Sequence, residues 1–426
     1  MDKRTQDLIA FLDASHSVYH AAAYLKDTLD KAGYTRLSEG SAWELTPGGK
    51  YYLTRGGTAV IAFRIPEGAP KGFMMSASHS DRPCFKVKEN FESAGAYTKV
   101  LVERYGGMLI APWLDRPLSI AGRVMVETED GVQSRLVDID RDLLLIPNLA
   151  IHLNRSANES QKWNPAVDTL PIVGGKDAKG KLADLLEKEA GGRILGHDLY
   201  LYIRQKASVW GIDEEYLSSA ALDDLECAWS CTQGFLNAEM SESIQVLCVF
   251  DCEEVGSSSV QGAASDLLEG VLARICQARG LDIYQMLANS FMVSADNGHA
   301  LHPNHPEMSD AANAPLPGGG VVLKFNASQR YCTDGVAAAI FRKVCAKAGV
   351  EVQSYCNRAD IPGGSTLGNI SLHHVSVPTA DIGLAQLAMH SCYETGSVSD
   401  AIALEKAMAS FYGSTLVATD SGYTLK

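Results

Sequence analysis

The sequence predicts an α/β fold with a β-rich region inserted between its two halves. Three observations carry that expectation. Ile244 to Phe250 is an almost unbroken apolar run rich in β-branched residues, the pattern of a strand buried on both faces. Similar runs recur between helix-period segments, and several stop on acids or histidines. Between about residues 85 and 220 the texture changes to alternating runs and hairpin signals.

Taken in order, residues 5 to 32 read as helical, with Val18, Ala22, Leu25 and Leu29 on one face and Gly33 as the stop. Ala59 to Ile65 and Gly72 to Ala77 read as strands, the second running into Ser-His79-Ser-Asp81. On an extended chain this spacing points His79 and Asp81 the same way. Within the insertion, Val124 to Thr128 and Val132 to Val137 flank a Glu-Asp-Gly turn, and Leu199 to Ile203 alternates. The run RDLLLIPNLAIHLNRS is strand-like and contains His152. A Gly/Lys/Asp-rich stretch near residue 180 reads as a loop and short helix.

The α/β character returns at Asp223 and Asp224, which precede a helix carrying Leu225, Ala228 and Cys231 on its apolar face. Asp266 to Arg279 reads as a helix and Ser290 to Ala295 as a buried strand ending near Asp296, His299 and His302. Lys324 sits inside an apolar strand, where a pocket wall competes with simple snorkelling. Thr333 is expected to cap a helix ending before Gly349. Glu351 to Cys356 and His374 to Thr379 read as strands, and Ser399 to Leu416 as the last helix.

The 426 residues are enough for two or three domains, and 46% apolar with 21% charged residues describes a globular chain. A net charge of −14 argues against nucleic acid or an anionic membrane as partner. No run spans a bilayer and the N-terminus lacks a signal-peptide core, so a cytoplasmic location is expected. The ten cysteines form no paired framework. Cys227 and Cys231 read as core, and His16 and His20 as boundary residues, rather than as metal pairs.

An adjacent Glu253-Glu254 pair most often marks a solvated turn. Here it follows a buried strand, where open α/β sheets place ligands. His79 with Asp81, Asp223, Asp296 and His390 occupy comparable junctions. Two divalent ions want a bridging carboxylate, terminal His, Asp or Glu ligands and a spare carboxylate as base, and this inventory supplies all three. Mixed nitrogen and oxygen ligation suits zinc, with manganese or cobalt as alternatives.

The segments SHSDRPCFKVK, PWLDRPLSIAGRV, IPNLAIHLNR, LDDLECAW, DCEEVGSS, SADNGHALHPNHPE, VVLKFNASQRY, DIPGGSTLGNI and DIGLAQLAMHS together resemble the aspartyl aminopeptidase family of dinuclear zinc exopeptidases. The likeness runs in order from the first helix to the last. It implies a three-layer α/β/α catalytic domain with a mixed sheet, from residues 1–84 and 221–426, and a dimerisation domain from 85–220. It implies His79, Asp223 and Asp296 on one zinc, and Asp223, Glu254 and His390 on the other. Glu253 matches the general base and Asp81 the carboxylate that orients His79. Lys324 matches the holder of an acidic substrate side chain, with Tyr331 also on the substrate side. His152 matches a histidine reaching into a neighbouring subunit's site. Peptides are the implied substrates, trimmed from the N-terminus at acidic residues, and a homo-oligomer, a dodecamer built from dimers, is the implied assembly. Preference for neutral residues, a related deacylase or carboxypeptidase, and a metal-binding scaffold are the competing readings. The chain departs from the family pattern at Ala221 (usually Arg), Asp224 (often Asn), Cys252 (usually Asn or His) and Gly363 (often Cys). None of these removes a ligand or the base.

Overall fold

The computed structural model describes residues 1–426. Its centre is a nine-stranded sheet. The run Ile244–Phe250 lies in it between Ala59–Arg64, antiparallel, and Phe73–His79, parallel. Phe291–Ala295 and Thr379–Gly383 continue the parallel stack. Val321–Phe325 then runs antiparallel to Thr379–Gly383. The sheet is therefore mixed, and its four central strands point one way.

The apolar runs follow from burial on both faces. Leu247, Val249, Met74, Phe291 and Val293 belong to a core shared with helices Lys3–Ala14, Val18–Lys31, Leu222–Asn237, Gly335–Ala348 and Val398–Tyr412. Their neighbours Val246, Cys248, Met75, Phe73 and Met292 belong to a second core, shared with Leu267–Arg279, Ile283–Ala288 and Leu367–Ser371. Helices thus cover both faces, the three-layer arrangement that alternating strand and helix segments dictate.

Register positions the site. Phe250 pairs with His79, Ser294 with Ala77, and Ala295 with Ile382. Side chains just past those ends emerge together on one edge of the sheet.

Residues 84–203 contain a separate six-stranded antiparallel sheet around its own core, including Phe85, Val102, Trp113, Ile120 and Leu201. Its hairpin closes between Thr128 and Gly131. Ser208–Trp210 pairs instead with Tyr216–Ser219, which pairs in turn with Glu394–Gly396 from the other end of the chain.

Several expected elements differ in detail. The first helix is two, Lys3–Ala14 and Val18–Lys31. The Ser-His-Ser triplet between them spends its hydroxyls locally, Ser15 on the Phe11 carbonyl and Ser17 on the His20 ring. The His152 run is not a strand. Asn148 is tied to the Asp115 carboxylate at 2.8 and 2.9 Å, and the following residues form exposed turns. Asp334, not Thr333, caps its helix, accepting from the Ala337 amide at 2.8 Å. Thr333 is diverted to Asp381, whose amide donates to its hydroxyl at 2.8 Å. The strand expected at His374 begins only at Thr379, after Pro378, which has no N–H for a ladder. The last helix ends at Tyr412, and Leu416 opens a C-terminal hairpin.

Candidate metal centre and active site

Eight of the nominated residues line one cavity of about 190 Å³: His79, Asp223, Glu253, Glu254, Asp296, Lys324, Tyr331 and His390. Asp81 lies directly behind His79 and is 2% exposed. His152 is not in this cavity. It stands exposed on the inserted region, among the exposed apolar residues Leu149, Ile151 and Leu153.

Each wall has a local cause. His79 is the last residue of its strand. Asp223 occupies the first turn of Leu222–Asn237 with non-helical φ/ψ, joined to Asp224 by a cis peptide. Glu253 and Glu254 form a tight turn entered through Cys252, at φ 64°. That turn rests on Asp81, whose carboxylate accepts the Glu253 and Glu254 amides at 3.1 and 3.2 Å and the Tyr105 hydroxyl at 2.7 Å. The same carboxylate faces His79 Nδ1 at 3.3 Å. One buried acid thereby aims the histidine and holds the glutamate pair.

Both histidines present Nε2 to the cavity. His79 Nδ1 donates to the Asp81 carbonyl at 3.1 Å, with the Asp81 carboxylate beside it, and His390 Nδ1 donates to the Gly107 carbonyl at 2.5 Å. An occupied Nδ1 fixes the tautomer that leaves Nε2 as a ligand. His79 Nε2 lies 3.5 Å from Asp223 Oδ1, and His390 Nε2 lies 3.5 Å from Asp223 Oδ2 and from Glu254 Oε2. These gaps are long for hydrogen bonds. They are close to the roughly 3.4 Å that separates two ligands on a tetrahedral zinc.

The donor set fits metal ions. Asp223 Oδ1, Asp224 Oδ1 and Glu254 Oε1 are buried without a hydrogen-bond partner, which is costly unless a cation satisfies them. Ligand atoms of His79, Asp223 and Glu254 lie within 4.8 Å of one another, and so do those of Asp223, Asp224 and Asp296. Asp223 is common to both groups, as a bridging carboxylate would be. Asp224 enters the second group, although its Oδ2 also accepts the His79 amide at 3.2 Å.

Electrostatics tell the same story. Burial pushes the Glu253 carboxyl up to about 8, with Asp296, Asp81 and Asp223 adding to the shift against His79. Burial raises Asp296 to about 6, although Lys324 opposes the shift. Glu254 and Asp224 are raised well above the usual range by burial and neighbouring acids. Asp223 alone falls below its ordinary value: burial works against it, but His390 and His79 prevail. Buried acids that compete for protons in this way are those that cations would relieve.

The wall of the cavity expected to face substrate is built around Lys324, which is 1% exposed. Its Nζ donates to the Asp296 carbonyl at 2.7 Å, lies 4.0 Å from the Asp296 carboxylate, and sits 5.1 Å from the centre of the Tyr331 ring. Several participants were not singled out from sequence. Tyr105 and Gly107 come from the inserted region, where no pattern links them to the strand ends. His299 lines the cavity and had been noted only as a strand-end residue. Glu394 and Asn297 are both buried beside the ligands, and Asn297 also lines the cavity.

Comparison with known proteins accords with this geometry. Residues 11–412 match the family model described as aminopeptidase I zinc metalloprotease (M18). The chain is 41% identical over 421 residues to a Clostridium acetobutylicum protein named "Probable M18 family aminopeptidase 2", covering 95% of this chain and 97% of that one. It is likewise 41% identical over 422 residues to a Pseudomonas aeruginosa protein of the same name, covering 96% and 98%. Among solved structures it resembles Ape4, determined in complex with Nbr1, at TM-score 0.93 and 36% identity, covering 96% of this chain and 85% of that one. It also resembles the mApe1 dodecamer of S. cerevisiae at TM-score 0.85 and 28% identity, with 96% of each covered. Sequence and structure together therefore place the chain in the M18 family of zinc-dependent aminopeptidases.

Proposed function

We propose that the chain releases N-terminal amino acids from peptides, acidic ones preferentially, with two metal ions held in the cavity. His79, Asp223 and Asp296 would hold one ion, and Asp223, Glu254 and His390 the other. Bound there, the ions supply an acidified water and an electrophile for the carbonyl. The observation that carries the reading is Glu253. It lines the cavity beside the ligands, yet unlike its neighbour Glu254 it is not among the carboxylates grouped closely with His79 and Asp223. A spare carboxylate in that place can take a proton from water and return it to the leaving amine. Asp81 keeps the turn bearing Glu253 fixed through both amides. Zinc is the expected metal, and manganese and cobalt are the alternatives for comparison.

Acidic preference rests on Lys324. Its Nζ donates to the Asp296 and Asn297 carbonyls and lies 4.0 Å from the Asp296 carboxylate; with that carboxylate engaged on a metal, the ammonium would be offered to a substrate carboxylate. The test is amino-acid release from peptides beginning with Asp, Glu and Leu, on enzyme reloaded separately with Zn2+, Mn2+ and Co2+. Asp and Glu substrates should lead. Lys324→Leu should lower them about 10–100-fold more than Leu substrates, the equivalent of one charge-assisted hydrogen bond. Equal losses, or a lead for Leu peptides, would contradict the acidic pocket.

The inserted region is assigned to dimerisation and the assembly to a dodecamer built from dimers. Leu149, Ile151, Leu153 and Val167 are 58%, 48%, 74% and 66% exposed around His152, a grouping that a second copy would cover. His152 would then complete a neighbour's site as an oxyanion donor. A monomeric mass by light scattering, or full activity of His152→Ala, would contradict this assignment.

A further inference from the structure

Besides Asp81, a second buried carboxylate is entangled with the metal cradle: Glu394, which is 1% exposed and absent from the cavity lining. It opens the short strand Glu394–Gly396. Its Oε2 accepts the Asp223 amide at 3.0 Å. Its Oε1 accepts the His390 amide at 2.7 Å and Gln386 Nε2 at 3.3 Å. Gln386 Oε1 accepts Asn297 Nδ2 at 2.7 Å, and Asn297 directly follows Asp296. Three segments bearing ligands thus meet at one carboxylate and its amide relay.

Both amides need an acceptor from outside their own element. The Asp223 amide stands in the first turn of a helix, where no intrahelical acceptor exists. His390 lies in a turn at φ 66°, in the left-handed region that a residue with a side chain enters at a cost.

We propose that Glu394 is a positioning residue of the metal centre: by accepting the backbone amides of Asp223 and His390 together, it fixes the bridging carboxylate and the second imidazole before an ion arrives. The proposal rests on the reading of Asp223 and His390 as ligands. Each donor is a backbone N–H that cannot reverse, so both carboxylate oxygens are required. Glutamine offers one oxygen and must turn its amino group towards one of the two donors. Aspartate is one methylene shorter and cannot span both. A ligand pair fixed in advance loses less freedom on binding, and for this reason partners behind the ligands control affinity.

The experiment is a zinc titration of metal-stripped enzyme against a competing chromogenic chelator. Glu394→Gln should weaken zinc binding about 10–100-fold. Its KM for peptide should stay near the wild-type value once zinc is saturating. Wild-type zinc affinity in this variant would overturn the proposal. Asp400→Asn is the matched control, because Asp400 is 1% exposed and accepts the Gly318 and Gly320 amides at 2.7 and 2.8 Å, away from every ligand. It should bind zinc normally; an equal loss there would reduce the Glu394 effect to general loosening and also overturn it. If Glu394→Gln does not fold, hydrogen exchange of the wild-type holoenzyme decides. The Asp223 and His390 amides should exchange as slowly as that of Cys248 in the central strand, and fast exchange would overturn the proposal. Asp223→Asn and His390→Ala separate the two levels. Unchanged zinc binding in both would remove the ligand assignment itself, whatever Glu394→Gln does.

Discussion

His79 and His390 face the same carboxylate at the same 3.5 Å, yet they are held in different ways. His79 ends a central strand, its side chain 1% exposed, its ring aimed by Asp81. His390 sits in a turn at φ 66° with a side chain 33% exposed. No ladder holds it. It depends on Glu394 for its amide, on Gly107 for its ring, and on the Leu109 amide, which donates to its carbonyl at 3.0 Å. One half of the site is thus a product of sheet register. The other is assembled from loops and from the inserted region, so the insertion is structurally part of the candidate site.

That difference can be broken experimentally. The largest effects should come from removing each histidine. His79→Ala and His390→Ala should both lose activity on the order of 10³-fold, more than partners behind ligands usually cost. Stability should separate them. His79→Ala leaves Asp81 and Asp223 facing each other across a buried gap and should lower unfolding stability by about 3–5 kcal/mol. His390→Ala, part-exposed, should lower it by about 1 kcal/mol. Equal shifts in denaturation midpoint would erase the distinction between the halves.

Metal removal should expose the next effect, as a pH dependence. Glu253 and Asp296 titrate near 8 and 6 in the folded chain, above their ordinary 4.5 and 3.8. The unfolded chain releases those protons first, so the metal-stripped protein loses stability as pH rises from about 4 to 8. His390 adds the same sign. Burial works against its charge, but Asp223 raises it to about 9 from 6.5. Its contribution is full below 6.5 and is lost as pH rises through about 9. Melting temperatures of stripped enzyme should therefore fall steadily between pH 5 and 9 while those of zinc-loaded enzyme stay flatter. Parallel curves would contradict the cation-compensated site.

Tyr105→Phe should have the smallest effect. It removes one of three donors to Asp81 and leaves the two backbone amides in place. A loss of about 1 kcal/mol and a fall in kcat below tenfold are expected. A fall as deep as that of Glu394→Gln would mean that the His79 side is no better braced than the His390 side.

The two halves were also unequally legible in the sequence. Ile244 to Phe250, Ser290 to Ala295 and the strand before His79 announce themselves, because burial on both faces demands continuous apolar residues. The acids that end them could be found by position alone. His390 carries no such frame; the sequence offers it only as one junction residue among several, the family resemblance alone implies its role, and its supports are invisible. Glu394 is a single glutamate in a turn, and Gly107 acts through a carbonyl that any residue possesses. Such roles depend on which distant segments meet, which composition and period do not encode. The His152 run misled for a related reason. Its first half makes only isolated bridges, Leu144 to Leu118 and Leu145 to Ile172, and beyond Pro147 the apolar Leu149, Ile151 and Leu153 join no strand and remain exposed.

The central claim is the division of labour in the glutamate pair, Glu254 on metal and Glu253 free for the proton. It is tested most directly by Glu253→Gln, assayed for bound metal and for peptide turnover in the same preparation. The account predicts two ions per chain, as in the wild type, with turnover reduced by about 10²–10⁴-fold, the usual worth of a positioned acid–base group. Near-wild-type turnover in the fully loaded variant, or loss of an ion on making it, would contradict the account.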